Sequence, residues 1–200
     1  DTCCTPGFAK VTRILKDEIP NVYVKSVRIG NTTSDDFVHS YFGNVNEQII
    51  QVCKELAEDS RFANGYSAIG FSQGSQFLRG LAEKCSVPQM KRLISFGGQH
   101  QGVYRKGTLI QAQFWHDPFD EETYRRESLF LADINNERGI NESYRNNLKN
   151  LDKLVLVMFS NDTMVIPKES SWFGFYSSHQ TTNVVPMEET DLYVQVRFDF

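Results

Sequence analysis

YSAIGFSQGSQFL, residues 66–78, is the stretch that decides the fold. Its first residues favour a strand and its last residues follow helical spacing, with GFSQG at residues 70–74 between them. This G-x-S-x-G pattern predicts a sharp turn from strand to helix, with the Ser72 hydroxyl exposed above a sheet. We expect glycine at positions 70 and 74 because a Cβ there would collide with the neighbouring strand or helix.

Gln73 follows Ser72 at the start of the predicted helix. Its backbone N–H would point out of the helix N-terminus, where it can stabilise a developing oxyanion. The alternative interpretation is a glycine-rich turn whose serine only caps the helix. The strand residues before the motif and the helix residues after it favour a nucleophilic Ser72, because the motif requires that context.

Composition limits the classes of protein to consider. The 200 residues, 40% hydrophobic and 12% aromatic, suit one globular domain with a sizeable core. The net charge of −4 and the absence of a Lys/Arg run predict no nucleic-acid surface. The longest apolar run, residues 154–159, is too short to span a bilayer. Because the chain starts at Asp1, we expect a mature product or a fragment.

The cysteines and the Asn-x-Ser/Thr sequons indicate a secretory protein. An even number of cysteines permits disulfides, and no zinc-type spacing occurs among Cys3, Cys4, Cys53 and Cys85. We therefore expect no metal site. Glycosylation sequons begin at Asn31, Asn141 and Asn161.

Strand and helix patterns alternate along the chain. Besides the strand that leads to Ser72, strands are predicted over residues 21–30, 91–97, 153–160 and 192–200. A helix capped by Asn44 is predicted from Val45 to about Glu58, and a polar helical region over residues 118–151. The unbroken apolar run of residues 154–159 is typical of a strand buried on both faces of a parallel sheet. The chain is therefore predicted to form an α/β domain.

Asp162 is the predicted partner carboxylate for the serine. In hydrolases that carry this elbow, the acid follows the serine in the chain and the histidine comes last. Asp162 comes just after a predicted buried strand, whereas the competing Asp117 follows no clear strand. The alternative is that Asp162 is only an Asx-turn residue.

The sequence does not identify a histidine base. His179 is the histidine that follows Asp162, and it lies in a polar, loop-like segment. A histidine in such a segment is usually a solvated surface residue. His39, His100 and His116 precede the acid and are in the wrong order. We assign no histidine to catalysis.

The chain resembles the lysosomal palmitoyl-protein thioesterases through most of its length. The matching blocks occur in order and are far more specific than the serine motif alone. They are residues 1–4 (DTCC), 44–46 (NVN), 70–74 (GFSQG), 76–79 (QFLR), 97–103 (GGQHQGV), 115–118 (WHDP), 131–135 (LADIN), 137–143 (ERGINES), 161–162 (ND) and 172–176 (WFGFY).

This resemblance implies an α/β-hydrolase-like, mostly parallel sheet flanked by helices. It implies a serine thioesterase that removes palmitoyl and other long-chain fatty acyl groups from S-acylated cysteines during lysosomal degradation. S-palmitoylated proteins or peptides and long-chain acyl thioesters would be its substrates, with no cofactor, and the lysosome its location, with secretion as a second destination. Ser72 would be the nucleophile, Asp162 the triad acid and Gln73 an oxyanion donor.

The resemblance also implies four cysteine roles and two modified asparagines. Cys3 and Cys4 would form a disulfide between adjacent residues, and Cys53 would pair with Cys85. Asn141 and Asn161 match glycosylated positions of the family.

The chain departs from the family in three places. The family has a His-Gly-x-Gly stretch before the position of Asp1, a longer insertion after Val103, and a triad histidine in a Gly-Asp-His beyond the position of Phe200. We therefore expect residues 1–200 to be a single incomplete α/β-hydrolase domain, missing the first core strand and the C-terminal part, and weakly active or inactive alone. The alternatives are a catalytically dead acyl-binding protein and another lipase or carboxylesterase.

Overall fold

The fold is built on a parallel sheet. The computed structural model describes residues 3–104 and 113–195. Strands β1 (Tyr66–Phe71), β2 (Met90–Phe96) and β3 (Lys153–Val157) form a three-stranded sheet in the order β1-β2-β3. Both pairings are parallel, with Ala68 opposite Leu93 and Leu93 opposite Leu154. The predicted α/β class, with a mostly parallel sheet flanked by helices, is confirmed.

Eight α-helices occur within the described residues: α1 (Pro6–Glu18), α2 (Thr33–Phe42), α3 (Val45–Glu58), α4 (Gln73–Lys84), α5 (Glu121–Glu127), α6 (Leu131–Ile134), α7 (Glu142–Lys149) and α8 (Asp191–Val194). A small antiparallel hairpin pairs β4 (Phe175–Tyr176) with β5 (Val184–Val185). Among these helices, none is both long and apolar enough to cross a membrane.

Helices α3 and α4 pack together at the centre of the core. The Asn44 side chain accepts a hydrogen bond from the Asn46 N–H, so α3 starts with the predicted cap. The apolar face of α3 meets α4 and the sheet in one cluster, whose fully buried members include Ile49, Val52, Leu81 and Leu93. A disulfide between Cys53 and Cys85 joins α3 to the end of α4. These contacts hold the helix that begins just after Ser72.

The predicted strand over residues 21–30 is wrong. Residues 22–29 have no regular secondary structure and pair with no strand among the described residues. Side-chain contacts hold this segment instead. Asp36 of α2 is buried, and its carboxylate accepts hydrogen bonds from the Ile29 N–H and the Cys3 N–H. An apolar pattern alone does not form a strand, because the ladder needs a neighbouring backbone.

Two other strand predictions need correction. The third strand ends at Val157 rather than Ser160, and residues 154–157 are half-buried rather than fully buried. Within the described residues β3 is an edge strand, so its side chains are less buried than the apolar pattern predicted. Residues 192–194 are helical, as part of α8, and residues 196–200 lie outside the described part of the chain.

The polar helical region of residues 118–151 is confirmed as α5, α6 and α7 with connecting turns. Asp120 and Asn141 cap α5 and α7 by accepting backbone hydrogen bonds from the first turn of each helix. Helix α7 packs against α4. The region therefore covers the helix that follows the serine.

Candidate active site

Ser72 lies at the apex of a sharp turn between β1 and α4. Its backbone has φ 51° and ψ −122°, a conformation that is strained for a residue with a side chain. The Ser72 N–H donates a 2.7 Å hydrogen bond to the Phe96 carbonyl at the end of β2. Ser72 is exposed, so the turn presents its hydroxyl at the carboxyl edge of the sheet, as the motif predicted.

The two glycines of the motif have different roles. A Cβ on Gly70 would lie 2.5 Å from the Ser75 Cα and 2.6 Å from the Ser75 nitrogen, which is closer than atoms can approach. Gly70 thus lets α4 cross close behind β1. A Cβ on Gly74 would meet nothing within 4 Å. The predicted collision at Gly74 is therefore wrong, because this position faces open space rather than a neighbouring element.

Gln73 is the first residue of α4, and its side chain ties the turn to α2. The first N–H groups of a helix have no acceptor within the helix, so the Gln73 N–H lies at the positive end of α4. The Gln73 side-chain amide donates a 2.9 Å hydrogen bond to the Ser40 carbonyl of α2. This link was not predicted, because the partner is 33 residues away in the sequence.

Asp162 lies in a turn that follows β3. Its Oδ1 accepts hydrogen bonds from the Met164 N–H at 2.8 Å and the Val165 N–H at 3.0 Å. Its Oδ2 lies 3.5 Å from the place that a Cβ on Gly97 would occupy. Gly97 directly follows Phe96, which accepts the Ser72 N–H. The structure therefore brings Ser72 and Asp162 to the same edge of the sheet, on either side of the end of β2.

Gly97 is a residue of this site that the sequence reasoning used only as a strand end. It has φ +58°, and the Phe159 ring lies 3.0 Å from the position of an added Cβ. A side chain here would push against Phe159, whereas the Asp162 Oδ2 at 3.5 Å would be at ordinary contact distance. The signal was present in the Gly97-Gly98 pair, which ends β2 at the level of the serine.

None of the histidines hydrogen-bonds to Ser72 or Asp162 within residues 3–104 and 113–195. His39 and His179 are exposed. The His39 ring nitrogen Nδ1 contacts the Asp35 carbonyl, and the backbone N–H of His179 donates to the Pro118 carbonyl. His100 is buried, and burial lowers its pKa well below the usual value, with a smaller effect from the Arg79 charge. Its Nε2 contacts the Ser95 hydroxyl at 2.8 Å and its ring stacks on Phe173, so it faces the core.

The competing carboxylate and His116 lie in a different local setting. Asp117 accepts a hydrogen bond from the Phe119 N–H, as an Asx-turn residue does. His116 is buried between aromatic rings and contacts Gln101 and Glu121.

A buried polar face of α4 lies behind the serine. Arg79 and Glu83 are fully buried on this helix, with 3.6 Å between Arg79 Nε and Glu83 Oε1. Arg79 also donates a 2.6 Å hydrogen bond to the Asn135 side chain next to α6. Burial raises the pKa of Glu83 to about 8, and the positive charge of Arg79 offsets this only in part. These groups fix α4 against the region that follows α5.

Both disulfides and all three sequon asparagines lie within the described residues. Cys3 bonds to Cys4 and Cys53 bonds to Cys85, both as the family resemblance implied. Asn141 and Asn161 are exposed, as is Asn31. Asn141 uses its side-chain oxygen to cap α7, accepting from the Ser143 and Tyr144 N–H groups. Within the described ranges, no group of three His, Cys, Asp or Glu side chains could hold a metal ion.

The fold and this edge of the sheet define a class of protein. An exposed serine on a strained strand-to-helix turn, with a carboxylate after the next strand but one of the same parallel sheet, is the arrangement of an α/β-hydrolase. The family model described as palmitoyl protein thioesterase matches residues 1–109 and 104–198. The chain belongs to the palmitoyl-protein thioesterase family.

Curated relatives agree with this assignment. The chain is 42% identical to palmitoyl-protein thioesterase 1 of Caenorhabditis elegans, over 98% of the chain and 76% of the relative. It is 35% identical to palmitoyl-protein thioesterase 3 of Dictyostelium discoideum, over 90% of the chain and 68% of the relative. It is 38% identical to lysosomal thioesterase PPT2 of Bos taurus, over 67% of the chain and 52% of the relative.

Proposed function

We propose that this protein is a serine thioesterase that removes palmitoyl and other long-chain fatty acyl groups from cysteine side chains of proteins. The observation that carries the proposal is the exposed Ser72 at the strained turn, with the Asp162 carboxylate at the same sheet edge. Membership of the palmitoyl-protein thioesterase family supports this substrate class over other hydrolase substrates.

The nucleophile and the oxyanion donor come from the same turn. Ser72 Oγ attacks the thioester carbonyl, the carbon–sulfur bond breaks, and the acyl group is held as an ester on Ser72. The backbone N–H of Gln73 lies at the N-terminus of α4, where it can donate to the oxyanion. A cysteine thiolate leaves readily because its pKa is only about 8.5. Water then releases the fatty acid and regenerates Ser72.

Asp162 would orient and stabilise the base. Its Oδ1 is held by two backbone N–H groups, which fixes the carboxylate and leaves Oδ2 toward Gly97 at the serine's edge of the sheet. A carboxylate in this role accepts from the imidazole that removes the serine proton. None of the four histidines in the chain is assigned that step.

Apolar side chains next to Ser72 favour an acyl substrate. The ring of Phe71 stacks on Phe96 with 5.0 Å between ring centroids, and Phe8 packs edge-on against Phe71 at 5.8 Å. On α2, which Gln73 ties to the turn, four large apolar side chains are at least half exposed: Phe37, Val38, Tyr41 and Phe42. Such a surface beside the serine suits a long hydrocarbon chain.

The lysosome is the proposed location. Relatives in this family are named lysosomal thioesterases. Two disulfides and exposed sequon asparagines fit passage through the oxidising secretory route that leads there.

The test is hydrolysis of an S-palmitoylated cysteine peptide by the full-length protein and by its Ser72→Ala variant, because residues 1–200 are expected to be weakly active or inactive alone. We expect Ser72→Ala to lower kcat by about 10⁴–10⁶-fold, as losing a serine nucleophile does. Ser75→Ala is the matched control, since Ser75 is a buried serine in the first turn of α4, just after Ser72; it should keep kcat within a few-fold.

Two outcomes would contradict the proposal. One is a Ser72→Ala protein that hydrolyses the thioester as fast as the unaltered protein. The other is an unaltered protein that cleaves only the matching oxygen ester, which would indicate a lipase or carboxylesterase.

A further inference from the structure

The two disulfides lie in different surroundings. The bond between Cys53 and Cys85 joins α3 to the end of α4 inside the main core, where Cys85 is buried and Cys53 is half-buried against the same apolar cluster. The bond between Cys3 and Cys4 joins two neighbours in the chain, of which Cys3 is buried and Cys4 is exposed. This second bond therefore has an exposed partner, which the first bond lacks.

The two bonds also contribute differently to the folded state. A disulfide stabilises a fold mainly by restricting the unfolded chain, and the effect grows with the length of the loop that it closes. The sequence separation is 32 residues for Cys53 and Cys85, but 1 residue for Cys3 and Cys4. Because the adjacent pair encloses no other residue, its bond restricts the unfolded chain very little. What it contributes is local to the peptide between the two cysteines.

Adjacency also makes a disulfide easier to reduce. The peptide bond holds neighbouring Cα atoms about 3.8 Å apart, whereas the Cα atoms of most disulfides lie about 4.4–6.8 Å apart. The Cα–Cα distance is 3.8 Å between Cys3 and Cys4 and 5.8 Å between Cys53 and Cys85. Disulfides outside the usual range are more readily reduced, and exposed disulfides are the labile or regulatory ones. Both arguments favour reduction of the adjacent pair first.

The backbone of Cys3 is bonded to a buried carboxylate of α2. The Cys3 N–H donates a 2.7 Å hydrogen bond to Asp36 Oδ2, and the Cys3 carbonyl accepts from the Ser26 hydroxyl at 2.8 Å. The other carboxylate oxygen of Asp36 accepts from the Ile29 N–H at 2.6 Å. Asp36 is only 6% exposed. One buried carboxylate thus joins the cysteine pair, the segment of residues 22–29 and α2.

The closed ring helps to hold this junction. With the disulfide formed, the bridge limits rotation about the backbone of both cysteines, so the Cys3 N–H stays directed at Asp36. When the bond opens, these rotations return, and the hydrogen bond then opposes a larger conformational entropy. The Asp36 carboxylate loses the Cys3 donor for part of the time, which is unfavourable for a buried charged group. The Ile29 contact to the same carboxylate is weakened with it.

We propose that the bond between Cys3 and Cys4 is a thiol-reducible site, which a small thiol such as glutathione opens while Cys53 and Cys85 stay bonded, and that its opening loosens the Asp36 junction. The first thiolate attacks the Cys4 sulfur, the bond between the cysteines breaks, and the Cys3 sulfur leaves and takes up a proton. A second thiolate attacks the mixed disulfide on Cys4, which becomes a thiol as glutathione disulfide is released. Two glutathione thiols thereby supply the two electrons.

The junction lies on the helix that contacts the turn of the serine. Asp36 precedes Ser40 by four residues on α2 (40 − 36), and the Ser40 carbonyl accepts the hydrogen bond from the Gln73 side chain. An exposed, reducible bond therefore supports the helix next to Ser72 through one carboxylate. The inference goes beyond the proposed thioesterase function and does not depend on it.

The first test is a redox titration of the intact protein in buffers of reduced and oxidised glutathione. Free thiols would be alkylated, and the state of each cysteine read by mass spectrometry after digestion. We expect half-reduction of Cys3 and Cys4 at a ratio [GSH]²/[GSSG] at least about tenfold lower than for Cys53 and Cys85, the control in the same molecule. Opening of both bonds at one ratio, or of the core bond first, would overturn the proposal.

The second test is amide hydrogen exchange, measured by NMR with the adjacent bond closed and then open. We expect the Ile29 N–H to exchange about fivefold faster with the bond open. The Gly97 N–H, which donates to the Val157 carbonyl in the sheet, is the control and should keep its rate. The double variant Cys3→Ser, Cys4→Ser should exchange at the faster Ile29 rate with or without glutathione. An Ile29 rate that does not change when the bond opens would overturn the link to Asp36.

Discussion

Ser72 and Asp162 lie at the same edge of the sheet, but different contacts hold them in place. Ser72 is fixed from both sides: β1 enters the turn, α4 leaves it, and the turn bonds to the end of β2. Asp162 lies five residues past β3 (162 − 157), in a turn closed by its own carboxylate. The serine is therefore positioned by backbone packing, whereas the acid is positioned by hydrogen bonds to its side chain. Substitutions should separate these two kinds of support.

The largest effect is expected for Asp162→Asn. An amide keeps the size of the side chain and one oxygen for the turn, but it cannot stabilise an imidazolium. We expect kcat for thioester hydrolysis to fall by about 10³–10⁴-fold, with little change in unfolding temperature. Asp117→Asn is the control and should retain kcat within about a factor of two, whereas an equal loss in both variants would remove the assignment of Asp162 as the acid.

The next effect is expected for Gly70→Ala, which probes the packing that holds the serine. The added Cβ would collide with the backbone of Ser75, so β1 and α4 must move apart. We expect a loss of about 3 kcal/mol or more in the free energy of unfolding, measured with urea. Gly74→Ala meets nothing within 4 Å and should change stability by less than about 1 kcal/mol. Similar losses in the two variants would show that the turn is not held by this contact.

The smallest effect is expected for Glu83, a fully buried residue of α4. Burial raises the pKa of Glu83 to about 8 in the folded protein. Because this lies above the value in the unfolded chain, its favourable contribution is complete in acid and is lost as pH rises toward 8. Between pH ~5 and ~7 the unaltered protein should lose about 1–3 kcal/mol of stability relative to Glu83→Gln, measured by urea unfolding. The exposed variant Glu58→Gln is the control, and its stability should change with pH as that of the unaltered protein does. The same change of stability with pH in the unaltered protein and in both variants would contradict a buried, protonated Glu83.

The elbow could be predicted from sequence because its signals are local. Gly70, Ser72 and the change of periodicity from strand to helix all fall within residues 66–78, and the turn forms as expected. Asp162 was predicted by a less local argument, the end of an apolar strand, and its catalytic role stays a prediction. The prediction of a strand over residues 21–30 was wrong because the sequence of a segment does not show whether a neighbouring strand will supply its hydrogen-bond partners. The strand prediction at residues 192–194 was wrong because so short a segment can fit either the strand period or the helix period.

Long-range pairs were beyond the sequence argument. His116 was dismissed because it precedes the acid, yet the structure seats it between Tyr124 and Phe175, the latter 59 residues further on (175 − 116). The bond from Gln73 to Ser40 spans 33 residues in the other direction. Such contacts depend on tertiary packing, and no spacing rule within one segment predicts them.

The most direct test of the central claim is to trap the nucleophile. The intact protein would be treated with a long-chain alkyl fluorophosphonate, digested, and the modified peptide identified by mass spectrometry. We predict a single phosphonylated residue, Ser72, and no labelling of Ser72→Ala. Labelling at another serine, or undiminished labelling of Ser72→Ala, would contradict the account.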